Sequence, residues 1–93
     1  MIVRFHIDPM EQDLYEYSVS YEGETLYADV GLASIEECIV AATEGLDRDA
    51  VAAELAYKGI ISGTYALASL ALMSTQIAGH ALQTTLAIEE VSE

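Results

Sequence analysis

From Ile2 to Ile7 apolar and polar residues alternate. Val3, Phe5 and Ile7 share one side, and Ile2, Arg4 and His6 share the other. A period of two marks a strand with one face buried. Asp8 and Pro9 break the alternation, and the polar run to Asp13 predicts a loop. Alternation resumes over Leu14–Tyr21, with Tyr15, Tyr17, Val19 and Tyr21 on one side. Glu22-Gly23 is then a two-residue turn. With that turn, Tyr21 faces Glu24, Val19 faces Leu26, Tyr17 faces Ala28 and Tyr15 faces Val30. The opposite face pairs Ser20 with Thr25, Ser18 with Tyr27 and Glu16 with Asp29. Residues 1–31 therefore read as a three-stranded antiparallel sheet with one packed face and one wet, acidic face.

The period changes at Ser34. Ser34-Ile35-Glu36-Glu37 matches a capping box, and Ile35, Cys38, Ile39 and Ala42 recur at helical spacing. Gly45 ends this helix. Asp47 is read as the cap of a second short helix, with Asp49 at its positive end, Val51 and Leu55 facing inward and Lys58 near its C-terminus. After Gly59 and Gly63, Thr64 caps a long helix running to about Ile88. Ser62, Ser69, Gln76 and Gln83 repeat every seven residues and give that helix one narrow polar stripe. Most of its remaining circumference is apolar, more than a small sheet and two short helices can cover. The pattern predicts a homodimer through Leu67, Leu70, Ala71, Ile77, Ala78 and Ala81, with Leu72, Met73 and Leu86 on a third side. The expected architecture is α+β: the sheet over 1–31, two short helices and a long C-terminal helix within 34–88, and a frayed tail over 89–93. All of it forms a single domain over 1–93, the size of one core.

Charge divides the chain differently. Of 93 residues, 16 are acidic against three Lys or Arg, a formal charge of −13, yet 53% are hydrophobic. That composition folds rather than remaining a disordered acidic tail. Thirteen of the 16 acids precede Leu55, and none lies between Leu55 and Ile88. Three cations cannot build a phosphate-binding patch, so direct nucleic-acid binding is excluded as an expectation. Residues 59–88 are uncharged but carry too many Ser, Thr, Gln and His side chains for a bilayer helix. The N-terminus has no signal-peptide pattern, and a lone Cys38 fits a reducing cytoplasm.

Candidate chemistry is sparse. Cys38 lies on the apolar stripe of a capped helix in an acidic protein, a setting that raises a thiol pKa and reads as structural. His80 sits amid small and apolar residues and reads as a packed histidine. His6 lies on the open sheet face near Asp8 or Glu16. Asp47, Asp49 and Glu54 fall short of a calcium loop, since Val51 occupies a ligand position. No cofactor or metal is expected. A general acid needs a carboxyl raised by a buried pocket, and an open sheet face gives none. The expectation is therefore a protein that is not an enzyme.

What remains is the acidic surface. Asp8, Glu11, Asp13, Glu16, Glu22, Glu24 and Asp29 lie along the expected sheet and its turns. Rows of carboxylates imitate nucleic-acid phosphates and are steered toward basic surfaces. In size, acidity and lack of a catalytic motif the chain looks similar to small phage-encoded inhibitors, including anti-CRISPR proteins and DNA mimics. The expected partner is a basic protein surface of a nucleic-acid-binding complex, without direct nucleic-acid or membrane contact. The alternatives are a small acidic dimeric chaperone or antitoxin-like adaptor that holds a client on apolar helix surface, and an enzyme working around His80 or Cys38.

Overall fold

The computed structural model describes residues 1–46 and 49–92. In chain order it contains strands β1 (Ile2–Glu11), β2 (Leu14–Tyr21) and β3 (Glu24–Leu32), helix α1 (Ile35–Glu44), strands β4 (Ala52–Tyr57) and β5 (Ile60–Ala66), and helices α2 (Leu67–Leu72) and α3 (Ser74–Ser92). The fold is α+β, with one five-stranded mixed sheet in the order β3-β2-β1-β4-β5. β1 and β4 run parallel at its centre, and every other neighbouring pair is antiparallel. A parallel pair needs a crossover, and α1 supplies it.

The N-terminal half follows the alternation, except that β1 runs on through Asp8 and Pro9 to Glu11, where a loop was expected. Val3, Phe5, Ile7, Tyr17 and Val19 are buried on one face of β1 and β2. Glu22 and Gly23 both have positive φ, as a type I′ hairpin turn requires. Beyond that turn the expected register holds for only two pairs, Tyr21 with Glu24 and Ser20 with Thr25. Val19 then pairs with Tyr27, leaving Leu26 unpaired in a bulge. One extra residue exchanges the faces of β3. Tyr27 turns toward the core and donates its hydroxyl to the Ala42 carbonyl, while Leu26 and Val30 are exposed. A second irregularity skips Gly31 and pairs Tyr15 with Leu32.

Helix α1 matches expectation in its cap and its face. The Ser34 hydroxyl accepts the Glu37 N–H at 3.1 Å, and the Glu37 carboxylate accepts the Ala33 N–H at 2.8 Å. Ile35, Cys38, Ile39 and Ala42 are buried, and Gly45 is the C-cap.

The second helix expected after Asp47 is instead a hairpin, and this is the main correction to the fold. Asp47 itself lies outside the described residues. Ala52–Tyr57 is rich in helix formers, but β1 offers it a full parallel ladder from Ile2–Ala52 to Ile7–Tyr57. Ala53, Leu55 and Tyr57 are thereby buried. Tertiary pairing outweighs a weak helix preference. Lys58 and Gly59, both at positive φ, turn the chain into β5. Thr64, expected as a helix cap, pairs with Glu54 inside that strand. The long helix is therefore shorter at its start and interrupted at Met73, and it continues to Ser92, through residues 89–92 that were expected to fray; Glu93 lies outside the described residues.

The helices cover one face of the sheet. The core joins Phe5, Val19, Leu55, Ile39, Leu70, Ile77 and Ala81. Burial of an aliphatic or aromatic side chain stabilises by about 1.5–3 kcal/mol, so this shared cluster dominates the folding free energy. Among the described residues no helix lies on the other face of the sheet.

Candidate functional site: the open face of the sheet

β1 presents Ile2, Arg4, His6 and Asp8 on the uncovered face because Val3, Phe5 and Ile7 fill the core. Across the β1–β2 ladder these meet Ser20, Ser18 and Glu16, and across β1–β4 Arg4 meets Glu54. A groove of about 600 Å³ runs over this surface, lined among others by Arg4, His6, Asp8, Ser20, Glu22 and Glu54. A smaller one, of about 170 Å³, adjoins it at His6, Asp8 and Ser18 and extends to Glu16 and Val30.

Three local interactions set the electrostatics. Arg4 is consumed by Glu54, with Nε at 2.6 Å from Oε1. His6 Nε2 lies 2.9 Å from Ser20 Oγ. Asp8 and Glu16 stand directly opposite each other across the ladder, two carboxylates in one cross-strand pair. The ion pairs among the described residues are Arg4–Glu54 and Lys58–Glu89. Neither uses any of the seven acids expected to form the partner face.

Those seven do not form one row. Asp8 and Glu16 are on the open face. Glu11 and Asp13 are at the β1–β2 turn, and Glu22 and Glu24 at the β2–β3 turn, at opposite ends of β2. Asp29, expected opposite Glu16, pairs instead with Tyr17, and Val30 takes its place. The Asp29 carboxylate accepts the Val30 N–H at 2.8 Å. After burial, its charge is the next cause that pushes the Tyr17 hydroxyl pKa up. The acids thus run from turn to turn along β2, with Asp29 displaced to the helix-covered side by the bulge.

A serine nucleophile needs N–H donors aimed at a developing oxyanion, and Ser20 lies within ladders to both β1 and β3. Cys38 is fully buried, and burial followed by the nearby Glu37 charge pushes its thiol to about 11. Among the described residues no three His, Cys, Asp or Glu side chains converge on a metal-sized site. His80, expected to be packed, is exposed on α3.

The expected dimer interface also changes. Leu70, Ile77 and Ala81 belong to this chain's own core, Leu67 and Ala78 pack against it half-buried, and of the six only Ala71 is exposed. The hairpin that replaced a helix widened the sheet and gave these side chains a surface to cover. The Arg4–Glu54 pair was missed for the same reason, since Glu54 reaches Arg4 only when residues 52–57 form a strand. Among the described residues no helix is long and apolar enough to cross a membrane.

A scan against protein-family models, a search of curated proteins and a search of solved structures each return no match.

Proposed function

We propose that the chain is a non-enzymatic protein–protein interaction module that occludes a basic, nucleic-acid-binding surface of its target. It would act in the manner of small phage-encoded inhibitors such as anti-CRISPR proteins and DNA mimics. One observation carries the reading: the seven carboxylates along β1–β3 form no ion pair among the described residues, on a sheet with one uncovered face. Six of the seven, all but Asp29, lie at the two turns that bound β2 or at the Asp8–Glu16 pair of β1 and β2. Such carboxylates would attract a partner whose cations are placed for phosphates, with association steered over long range. A lone buried thiol fits action in the cytoplasm.

The test is capture by the immobilised chain from a nuclease-treated lysate at about 0.1 M salt, where the Debye length is ~10 Å. The reading expects retained proteins that bind nucleic acid, elute with duplex DNA, and are not retained by a Glu16→Lys/Glu22→Lys/Glu24→Lys variant. Equal retention by wild type and variant would refute it.

A second reading, a dimeric acidic chaperone or antitoxin-like adaptor, is favoured by apolar side chains left outside the core. Leu72 is 85% exposed, and Met73 and Leu86 about half. In that case capture would be insensitive to salt and lost on Leu72→Ser or Met73→Ser.

A further inference from the structure

The outer surface of α3 holds two features that a lone chain leaves unexplained. The first is its glycine. Gly79 is exposed within the helix, and a Cβ added there would meet nothing within 4 Å. Glycine weakens a helix interior, and no close approach within the chain requires one at this position. Gly79 lies on a seam of α3 with Thr75, Leu82 and Leu86, spaced alternately four and three residues apart, all of them exposed. This is the spacing by which one helix meets another.

The second feature is charge. Helix α3 has no acidic residue in its first turn and no basic residue in its last. Its acids, Glu89 and Glu90, are instead near its C-terminal end, where the helix dipole disfavours them. Glu89 is held by Lys58, whereas Glu90 is exposed and in neither ion pair among the described residues. An antiparallel copy of the same helix answers both features. With a two-fold axis between Leu82 and Gln83, Leu86 of each copy sits over Gly79 of the other. Glu90 of each copy then falls beside Thr75 at the positive end of the other. A parallel pair would instead set Glu90 against Glu90. At −13 per chain, two copies repel wherever carboxylates face each other, and the α3 seam carries none from Thr75 to Leu86.

We propose that the chain forms an antiparallel, two-fold homodimer through the Thr75–Gly79–Leu82–Leu86 seam of α3. This leaves the uncovered sheet face free on each copy.

Sedimentation equilibrium gives the first test. The expected species has twice the 10.0 kDa chain mass. Dimerisation should strengthen with salt as like-charge repulsion is screened, the opposite trend to an acidic face meeting a basic partner. Gly79→Leu and Leu86→Glu alter exposed positions, so circular dichroism should show the fold retained. Each should weaken the dimer roughly 30-fold or more, the loss typical of a central contact. Met10→Glu, an exposed position on β1, should leave it unchanged. Direction is read by oxidative cross-linking: Thr75→Cys should link to Glu90→Cys and not to itself. A monomer at every concentration and salt, seam variants that dimerise like wild type, equal loss in Met10→Glu, or self-linking of Thr75→Cys would each overturn the proposal.

Discussion

Glu16→Lys separates what the acidic face does for folding from what it does for binding. Asp8 and Glu16 are direct cross-strand partners on the uncovered face. Such pairs bring Cβ atoms to about 5 Å, which puts the two carboxylates ~6 Å apart. In water their repulsion is about 0.7 kcal/mol, and screening at ~0.15 M salt halves it. Reversing one charge turns repulsion into attraction of similar size, so the gain is about 0.7 kcal/mol, within the range measured for cross-strand pairs. For a domain of this length that raises Tm by roughly 3–5 °C. The drop from −13 to −11 in net charge adds to the same trend. At ~1 M salt the Debye length falls to about 3 Å and the gain should shrink to about 1 °C. Thermal unfolding of both proteins at the two salt concentrations measures it. A lower Tm for the variant, or a gain that persists at high salt, would refute this pairing of Asp8 and Glu16.

Three other outcomes follow from the same structure. Glu22→Asn places a residue preferred at positive φ in the first position of the β2–β3 turn and should stabilise by about 0.5–1 kcal/mol in urea unfolding. Tyr27→Phe removes the hydroxyl that the Ala42 carbonyl accepts and should cost about 1 kcal/mol, with the bulged register unchanged by NMR. Alkaline pH should destabilise the fold. Burial raises Cys38 from 9.0 to about 11 and Tyr27 from 10.0 to about 12, so the native state keeps protons that the unfolded chain has released. Stability is then complete below pH 9, falls as pH rises through 11 for Cys38 and through 12 for Tyr27, and falls less steeply between 9 and 11 in Cys38→Ala. Unfolding midpoints measured along that pH series would contradict the assignment if they stayed flat.

Much of the chain's first 45 residues was legible because most signals there are local. The alternation of Val3, Phe5 and Ile7, the Glu22-Gly23 turn and the Ser34–Glu37 cap act within a few residues, and all appear in the structure. What sequence concealed depends on contacts between distant residues. Ala52–Tyr57 contains three alanines and a leucine, a helical composition, and becomes a strand only because β1 is there to pair with it. Lys58-Gly59 is a weaker hairpin signal than Asn-Gly, so the turn that would have revealed β4 and β5 passed as a helix end. The bulge at Leu26 left no mark at all in the alternation, yet it moved Tyr27 into the core and Asp29 off the open face. The acidic face was consequently legible in its residues and not in its arrangement. The expected subunit contact drew in core residues for a similar reason. Without β4 and β5 in view, Leu70, Ile77 and Ala81 had nothing to pack against but a second chain.

The most direct test of the proposed function is the ionic-strength dependence of association with the captured partner, measured by stopped flow between about 0.05 and 0.5 M salt. Charge-steered encounter predicts an association rate that falls steeply over that range. It also predicts that Glu16→Lys/Glu22→Lys/Glu24→Lys lowers the rate at low salt while dissociation changes little. A rate indifferent to salt and to those three substitutions would contradict the claim that these carboxylates form the partner-facing surface.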